Sequence, residues 1–475
     1  MICTSLENNM IELMDEGMSY NLFNRQFLKG IKAGLSDLSQ EEVDKNRNDL
    51  YADDIYKQCD AINFFSDYPS LINQQIISRI FEICSQTQDF DVNDCINGFI
   101  ENMSTCRQII NNSELILSAI PFLLFFTKSN IRQFVVTAIR AIAIFAYSNI
   151  QFAQIFLSNG FFHECFLSFN NSVETLIQMD NEDSDEINDI LYLIEAILFV
   201  LSSIFIHSNI ISVEYSILVV SCFHRLLDVQ TPESHVLKLK VLVFDNVYWF
   251  AQSAPEEALN MLLSQNFLEI TKLMLQHTKD QVKCSVLESI AQISRHGTHF
   301  VEVFLNSELL KFIHFSGKWS NETKYAFNKF LRCISICSDP NINGFLMTSE
   351  ISGYLNDCMN NGSFNAQKEA LIIILHLIMM NQPQNYEFFI SQFLDCLSII
   401  PEYFDKADVY FCKVILCSTK LLIDYLEAKS NDFLQKFLQI IGNNEWDRIL
   451  QQMSESEDSM ISKLSFDILE KLDHE

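Results

Sequence analysis

Apolar residues recur along this chain at helical spacing, and the helices they define recur in turn. Aligned on one core position, the copies give Ile142, Ile197, Val247, Ile290, Phe330, Ile374, Thr419 and Leu469, at intervals of 40 to 55 residues. Three positions before each anchor stand Ile139, Ile194, Phe244, Leu287, Phe327, Leu371, Leu416 and Phe466. Three positions after stand Phe145, Val200, Phe250, Ile293, Cys333, Leu377, Leu422 and Leu472. Positions −3, 0 and +3 share one face of a 3.6-residue helix, so the two wholly apolar columns predict a buried stripe. Two positions before the anchor the chain reads Arg140, Glu195, Asp245, Glu288, Asn328, Ile372, Cys417 and Asp467. Most of these are polar, and the column is expected to face water. A repeat of this length predicts an all-α fold, a helical solenoid in which each copy buries its face only against its neighbours.

A second element follows each anchor by 14 to 16 residues. Phe156–Phe162, Leu262–Leu268, Phe304–Leu310 and Leu346–Ser352 each place a small polar triplet between apolar pairs. This predicts a helix end and a restart, with Ser, Asn or Thr accepting the free N–H groups of the new helix. Helical spacing dominates from Leu71 onward. The expected division is a partly helical, flexible arm over residues 1–65 and a solenoid over 66–475, interrupted by an acidic loop insertion at about 170–188.

Composition narrows the picture. Eleven Gly and seven Pro in 475 residues are too few for a turn-rich β-sandwich, and 40 Phe supply ample core. A net charge of −29 disfavours nucleic acid and anionic membrane as partners and suits a basic one, although acidity also simply keeps an apolar solenoid in solution. The 14 cysteines are scattered without a CxxC, a usage that fits a reducing compartment, cytoplasmic or nuclear. The longest apolar stretch, 190–206, has Glu195 near its centre, and 115–126 is short and expected to be broken by Pro121, so membrane insertion is not expected.

The module resembles the armadillo repeat: a long third helix, a short loop, then a segment such as Ile150–Phe166 (IQFAQIFLSNGFFHECF) that opens the next copy. The resemblance covers roughly Leu71 to the C-terminus. It implies a right-handed superhelix whose third helices line a concave groove that binds extended peptides or proteins, without catalysis. Within that superfamily the plan is similar to a divergent importin-α. Arg25, Lys29, Lys32, Lys45 and Arg47 resemble, faintly, the arm by which importin-α engages importin-β, but acidic residues outnumber basic ones between Arg25 and Lys57. The family's groove carries Trp and, one turn later, Asn. The corresponding columns here read Glu195/Phe199, Asp245/Trp249, Glu288/Gln292, Asn328/Arg332 and Ile372/His376, so no Trp–Asn ladder is present. The groove candidates are therefore Glu195, Phe199, Asp245, Trp249, Glu288, Gln292 and Asn328. Carboxylates beside aromatics can hold a cation, and polar residues simply facing solvent would look the same.

No phosphate-binding glycine loop, HExxH or GxSxG pattern occurs. His163 with Cys165 and Cys222 with His224 are two residues apart on predicted helices and point in different directions. No metal or cofactor is expected. The sequence thus predicts a non-enzymatic adaptor for a protein partner, with importin-α-like carriage of basic cargo as the sharper form and a scaffold outside nuclear transport as the alternative.

Overall fold

The structure, a computed structural model, describes residues 38–473 except 88, 180–183, 206, 208–211, 230–232, 314–318, 338, 340, 341, 343, 381, 405–407, 430 and 443–445. Every regular element among the described residues is a helix. The chain divides into two compact units, one formed by Glu16–Ser264 and the other built on Gln265–Glu475.

The longer helices of the first unit are α1 (Gln40–Asp49), α2 (Ile55–Asp67), α3 (Gln74–Gln86), α4 (Phe90–Thr105), α5 (Ser113–Phe126), α6 (Arg132–Ser148), α7 (Ile150–Ser158), α8 (Phe161–Gln178), α9 (Ser184–Phe205), α10 (Val213–Leu227), α11 (Glu233–Phe250) and α12 (Glu256–Leu262). Their spine runs α2 on α4, α4 on α6, α6 on α9 and α9 on α11, with α3 on α5 and α10 on α12 beside it. The second unit holds α13 (Gln265–Leu275), α14 (Asp280–Ser294), α15 (Thr298–Asn306), α16 (Asn321–Ile336), α17 (Ser349–Asn361), α18 (Phe364–Met379), α19 (Pro383–Gln392), α20 (Val409–Lys429), α21 (Asn431–Gly442), α22 (Trp446–Ser454) and α23 (Ser459–Asp473). Here the spine is α14, α16, α18, α20 and α23, each packed on the next. The fold is an all-α solenoid of stacked helical repeats.

The aligned columns explain the spine. The first seven anchors are buried, and so are the first seven residues at −3 and at +3. Each helix therefore presents a full apolar stripe to its neighbours. The eighth copy is out of register. On α23 the buried positions are Ile461, Ser465 and Ile468, while Phe466 is 61% exposed. The helix start fixes that face, because the Asp458 carboxylate accepts the N–H groups of Met460 and Ile461.

Four further expectations are corrected. The boundary drawn at residue 65 falls inside α2, which packs on α4 through Ala61, Ile62 and Phe65; within the expected arm, residues 40–49 and 55–65 are helix, and 1–37 lie outside the described residues. The expected insertion is largely helical, since α8 continues to Gln178 with Val173 and Leu176 buried, and α9 begins at Ser184 with Ile187 buried. Pro121 does not break α5. The carbonyl it leaves without a partner belongs to exposed Leu117, where water can serve it. At three restarts no side chain caps the new helix, Glu308 preceding the short 3-10 helix Leu309–Phe312 at φ 59 being one. Gly160 precedes α8 at φ 73, a left-handed conformation that suits glycine, and Thr348 precedes α17 without a side-chain cap bond.

The apolar helix α9 contains a 20-residue segment, Glu186–Phe205, long and apolar enough to cross a membrane, but its window is 67% buried within the fold, packed between α6 and α11. That is the position of a core helix.

Candidate protein-binding face

In the first unit, three adjacent spine helices present one continuous polar and aromatic face. Tyr192, Glu195 and Phe199 lie at i, i+3 and i+7 along α9, and Lys238, Asp245 and Trp249 at i, i+7 and i+11 along α11, spacings that keep each set on one side of its helix. Arg140 and Tyr147 do the same on α6. Contacts tie the three sets together. Arg140 Nη2 lies 3.8 Å from Glu195 Oε2, and its guanidinium stands 6.0 Å from the Tyr192 ring. Lys238 Nζ lies 4.8 Å from that ring. Tyr147 meets Trp249 edge-on at 6.5 Å, and Tyr248 meets it at 5.3 Å. Tyr192 is 46% exposed, whereas Glu195, Phe199, Asp245 and Trp249 are half-buried. Beneath this face Ser202 donates to Asn246 Oδ1 at 2.7 Å, and the Asn246 amide donates to Leu242 O, which fixes α9 against α11.

Of the expected groove residues, Glu195, Phe199, Asp245 and Trp249 thus fall on this one face. Tyr192 and Lys238 were not singled out in the sequence. The signal for Tyr192 was its position one turn before Glu195 on an otherwise apolar helix.

In the second unit the expectation that the polar column faces water fails at Asn328 and Ile372, while Glu288, Cys417 and Asp467 are half-buried like Glu195 and Asp245. Asn328 is fully buried, with its Nδ2 donating to Ala366 O at 2.8 Å; Gln292, two positions after its anchor, is also buried, with its Oε1 accepting from Arg295 at 3.0 Å. Ile372 is buried as well. At Asn328 the neighbouring spine helix covers the position, and the side chain bonds that helix's backbone. Glu288 pairs with Lys329 at 3.5 Å, and Lys329 also lies 4.4 Å from the Tyr325 ring. Burial holds the Lys329 ammonium below the ordinary lysine range, with Glu288 acting in the opposite sense.

One turn beyond Asn328, Arg332 is buried with Glu369 of α18, its Nη1 reaching both carboxylate oxygens at 3.2 and 3.1 Å. Its guanidinium also faces the Tyr410 ring of α20 at 4.9 Å. Burial by itself would lower the Arg332 pKa, and Glu369 with Tyr410 outweighs it, leaving the group raised. Deeper still, His376 is held between Ser335 Oγ at 2.7 Å and the Tyr410 hydroxyl at 2.8 Å. Burial and then the Arg332 charge push its imidazole down to about 3. Sequence reading missed this network, because Arg332 stands on α16 while Glu369 and His376 stand on α18, and their meeting depends on how those two helices pack.

Charges farther along are also matched between helices. Lys368 pairs with Asp408, Lys413 with Asp458, Lys420 with Asp467, and Lys471 with both Asp424 and Glu427. On α1, Arg47 pairs with Asp44 at 3.4 Å and Lys45 is exposed. Arg25, Lys29 and Lys32 lie outside the described residues. With 61 acidic against 32 basic side chains, even complete pairing leaves a large carboxylate surplus on the surface.

No protein-family model and no curated protein matches the chain. Among solved structures it is similar to an engineered protein at 15% identity and a TM-score of 0.57, covering 91% of this chain and 98% of that one. It also aligns with a designed armadillo repeat protein at 15% identity over 54% of this chain and 98% of that one, TM-score 0.40. A third is a computationally designed armadillo repeat protein for modular peptide recognition, 15% identical over 54% and 98% of the two chains, TM-score 0.38. The first of these likenesses establishes the fold and nothing about activity.

Proposed function

We propose that this chain is a non-enzymatic scaffold of the armadillo type that binds a protein partner through the face shared by α6, α9 and α11. The observation that supports it is the set of carboxylates and aromatics standing together there, Tyr192, Glu195, Phe199, Asp245 and Trp249, on a chain with a net charge of −29. Arg140 and Lys238 already lie against Tyr192, which illustrates how this surface receives cations. A partner segment carrying lysine or arginine would find ion pairing and ring faces in one place. Titration of the full chain with a lysine-rich peptide, followed by calorimetry, tests the reading. Binding at low salt should reach micromolar affinity, weaken as salt rises, and weaken about tenfold or more in Asp245→Lys. No binding at low salt would overturn it.

The sharper reading is importin-α-like carriage of basic nuclear cargo with importin-β as partner. The carboxylate surplus and the resemblance of Arg25–Lys32 to an importin-β-binding arm favour it. The absence of a Trp–Asn ladder and the internal pairing of Glu288 favour a scaffold outside nuclear transport. Affinity capture from cell extract separates the two: importin-β or nuclear cargo among the captured proteins supports carriage, and a stable complex without them supports the scaffold. A site of action in cytoplasm or nucleus goes with either reading.

A further inference from the structure

Two thiols stand where α2 packs on α4, the first contact of the spine. Cys59 on α2 and Cys95 on α4 are both half-buried rather than sealed in the core, and the Cys95 thiol is among the groups that act on Cys59. Helix packing places them there independently. Helices α2 and α4 pack along each other, and Asn102 of α4 donates to Ser66 of α2 at 2.8 Å. That bond joins positions 36 residues apart. Cys59 and Cys95 have the same separation and stand two helical turns earlier on both helices, so parallel helices in this register bring the thiols face to face. The Ala61, Ile62 and Phe65 core of α2 holds the register.

We infer that Cys59 and Cys95 form an oxidisable dithiol that closes into a disulfide between α2 and α4 and thereby locks the N-terminal end of the first unit. The oxidant is a low-molecular-weight disulfide. One cysteine thiolate attacks it, releasing one small thiol and leaving a mixed disulfide. The second cysteine then attacks the protein sulfur, releasing the other small thiol. Two S–H bonds are lost from the protein and two are made on the reagent, so two electrons and two protons are transferred. Burial, with Cys95, Asp89 and Asp91 adding to it, pushes the Cys59 thiol up to about 12. At neutral pH the pair therefore rests as a dithiol, and closure accelerates as pH rises. The other described cysteines are mostly buried in the core, and burial raises Cys84, Cys165, Cys222 and Cys333 in the same way.

The test is incubation of the native full-length chain with oxidised glutathione, quenching by alkylation, and peptide mapping. The expected product is one internal cross-link between the peptides carrying Cys59 and Cys95, reversed by dithiothreitol. Amide exchange in α2 and α4 should slow by roughly a hundredfold, since closing a loop of this length constrains the open chain. Cys59→Ser and Cys95→Ser should each abolish the link, and the remaining partner should stop at the glutathione mixed disulfide. The inference is overturned if native protein forms no Cys59–Cys95 link, if the link persists in either serine variant, or if cross-links spread over other cysteines.

Discussion

At the scale of single residues, the most constrained group is His376. Ser335 Oγ also lies 2.8 Å from Arg332 O, an acceptor only, so the serine hydroxyl donates there. The His376 Nδ1–H must then donate to Ser335 Oγ, and the Tyr410 hydroxyl donates to Nε2. This arrangement needs a neutral imidazole. The folded value near 3 lies below the ordinary value of 6.5, so the unfolded chain binds the proton more readily. The corresponding stability is complete above the unfolded value and is lost as pH falls from about 6.5 toward 3, at about 1.4 kcal/mol per pH unit. Urea midpoints at pH 7 and pH 5 check this. His376→Gln should be less stable than wild type at pH 7 and should lose less on moving to pH 5; an equal loss in both would exclude His376 as the titrating group. Beside it, Glu369→Ala leaves the Arg332 guanidinium buried without its counter-charge and should cost about 3–5 kcal/mol. The double replacement Arg332→Met with Glu369→Leu should recover most of that loss, measured in the same urea titration.

At the scale of elements, the buried stripe was legible in the sequence wherever a helix is covered on both sides. Seven spine helices follow one register because apolar residues at −3, 0 and +3 have nowhere else to go. The eighth slipped because α23 offers two apolar series, Phe466–Leu469–Leu472 and Ile461–Ile468, and the apolar pattern does not choose between them. The deciding signal was the Asp458 cap together with small Ser465 between the two isoleucines. Phe466→Ala should therefore change stability by no more than about 0.5 kcal/mol, while Ile468→Ala should cost about 2–5 kcal/mol. Thermal denaturation of the two variants decides the register, and the reverse order would refute it. Helix α1 buries so little apolar surface that periodicity hid it; its start is held by Ser39, which accepts the Glu42 N–H. The polar column was misread at Asn328 in the second unit for a different reason. Whether Asn328 meets water or the Ala366 carbonyl depends on how closely the next helix approaches, and one helix's own sequence does not contain that distance. The face on α6, α9 and α11 was only half legible, because Tyr192 and Lys238 acquire meaning from each other across helices.

At the scale of the whole molecule, two electrostatic contributions compete, and salt separates them. The inter-helix pairs, such as Lys413–Asp458 at 2.7 Å and Lys324–Asp357 at 2.7 Å, draw neighbouring repeats together, and screening weakens them. Most are partly exposed, so each contributes on the order of 0–1 kcal/mol. Against them stands the repulsion within a chain of net charge −29, which screening relieves. The surplus acts over many pairs of carboxylates at separations comparable with the Debye length, which shrinks from about 30 Å at 0.01 M salt to about 8 Å at 0.15 M. Relief of repulsion should win, and the thermal midpoint should rise with salt across that range. Binding of a lysine-rich peptide should respond in the opposite sense, because there screening removes an attraction. A calorimetric melt and a peptide titration over one salt series measure both slopes. A midpoint that falls with salt would mean that the ladder of cross-helix pairs, rather than the apolar spine alone, holds the repeats together. The carboxylate surplus would then be too well matched within the fold to recruit a basic partner.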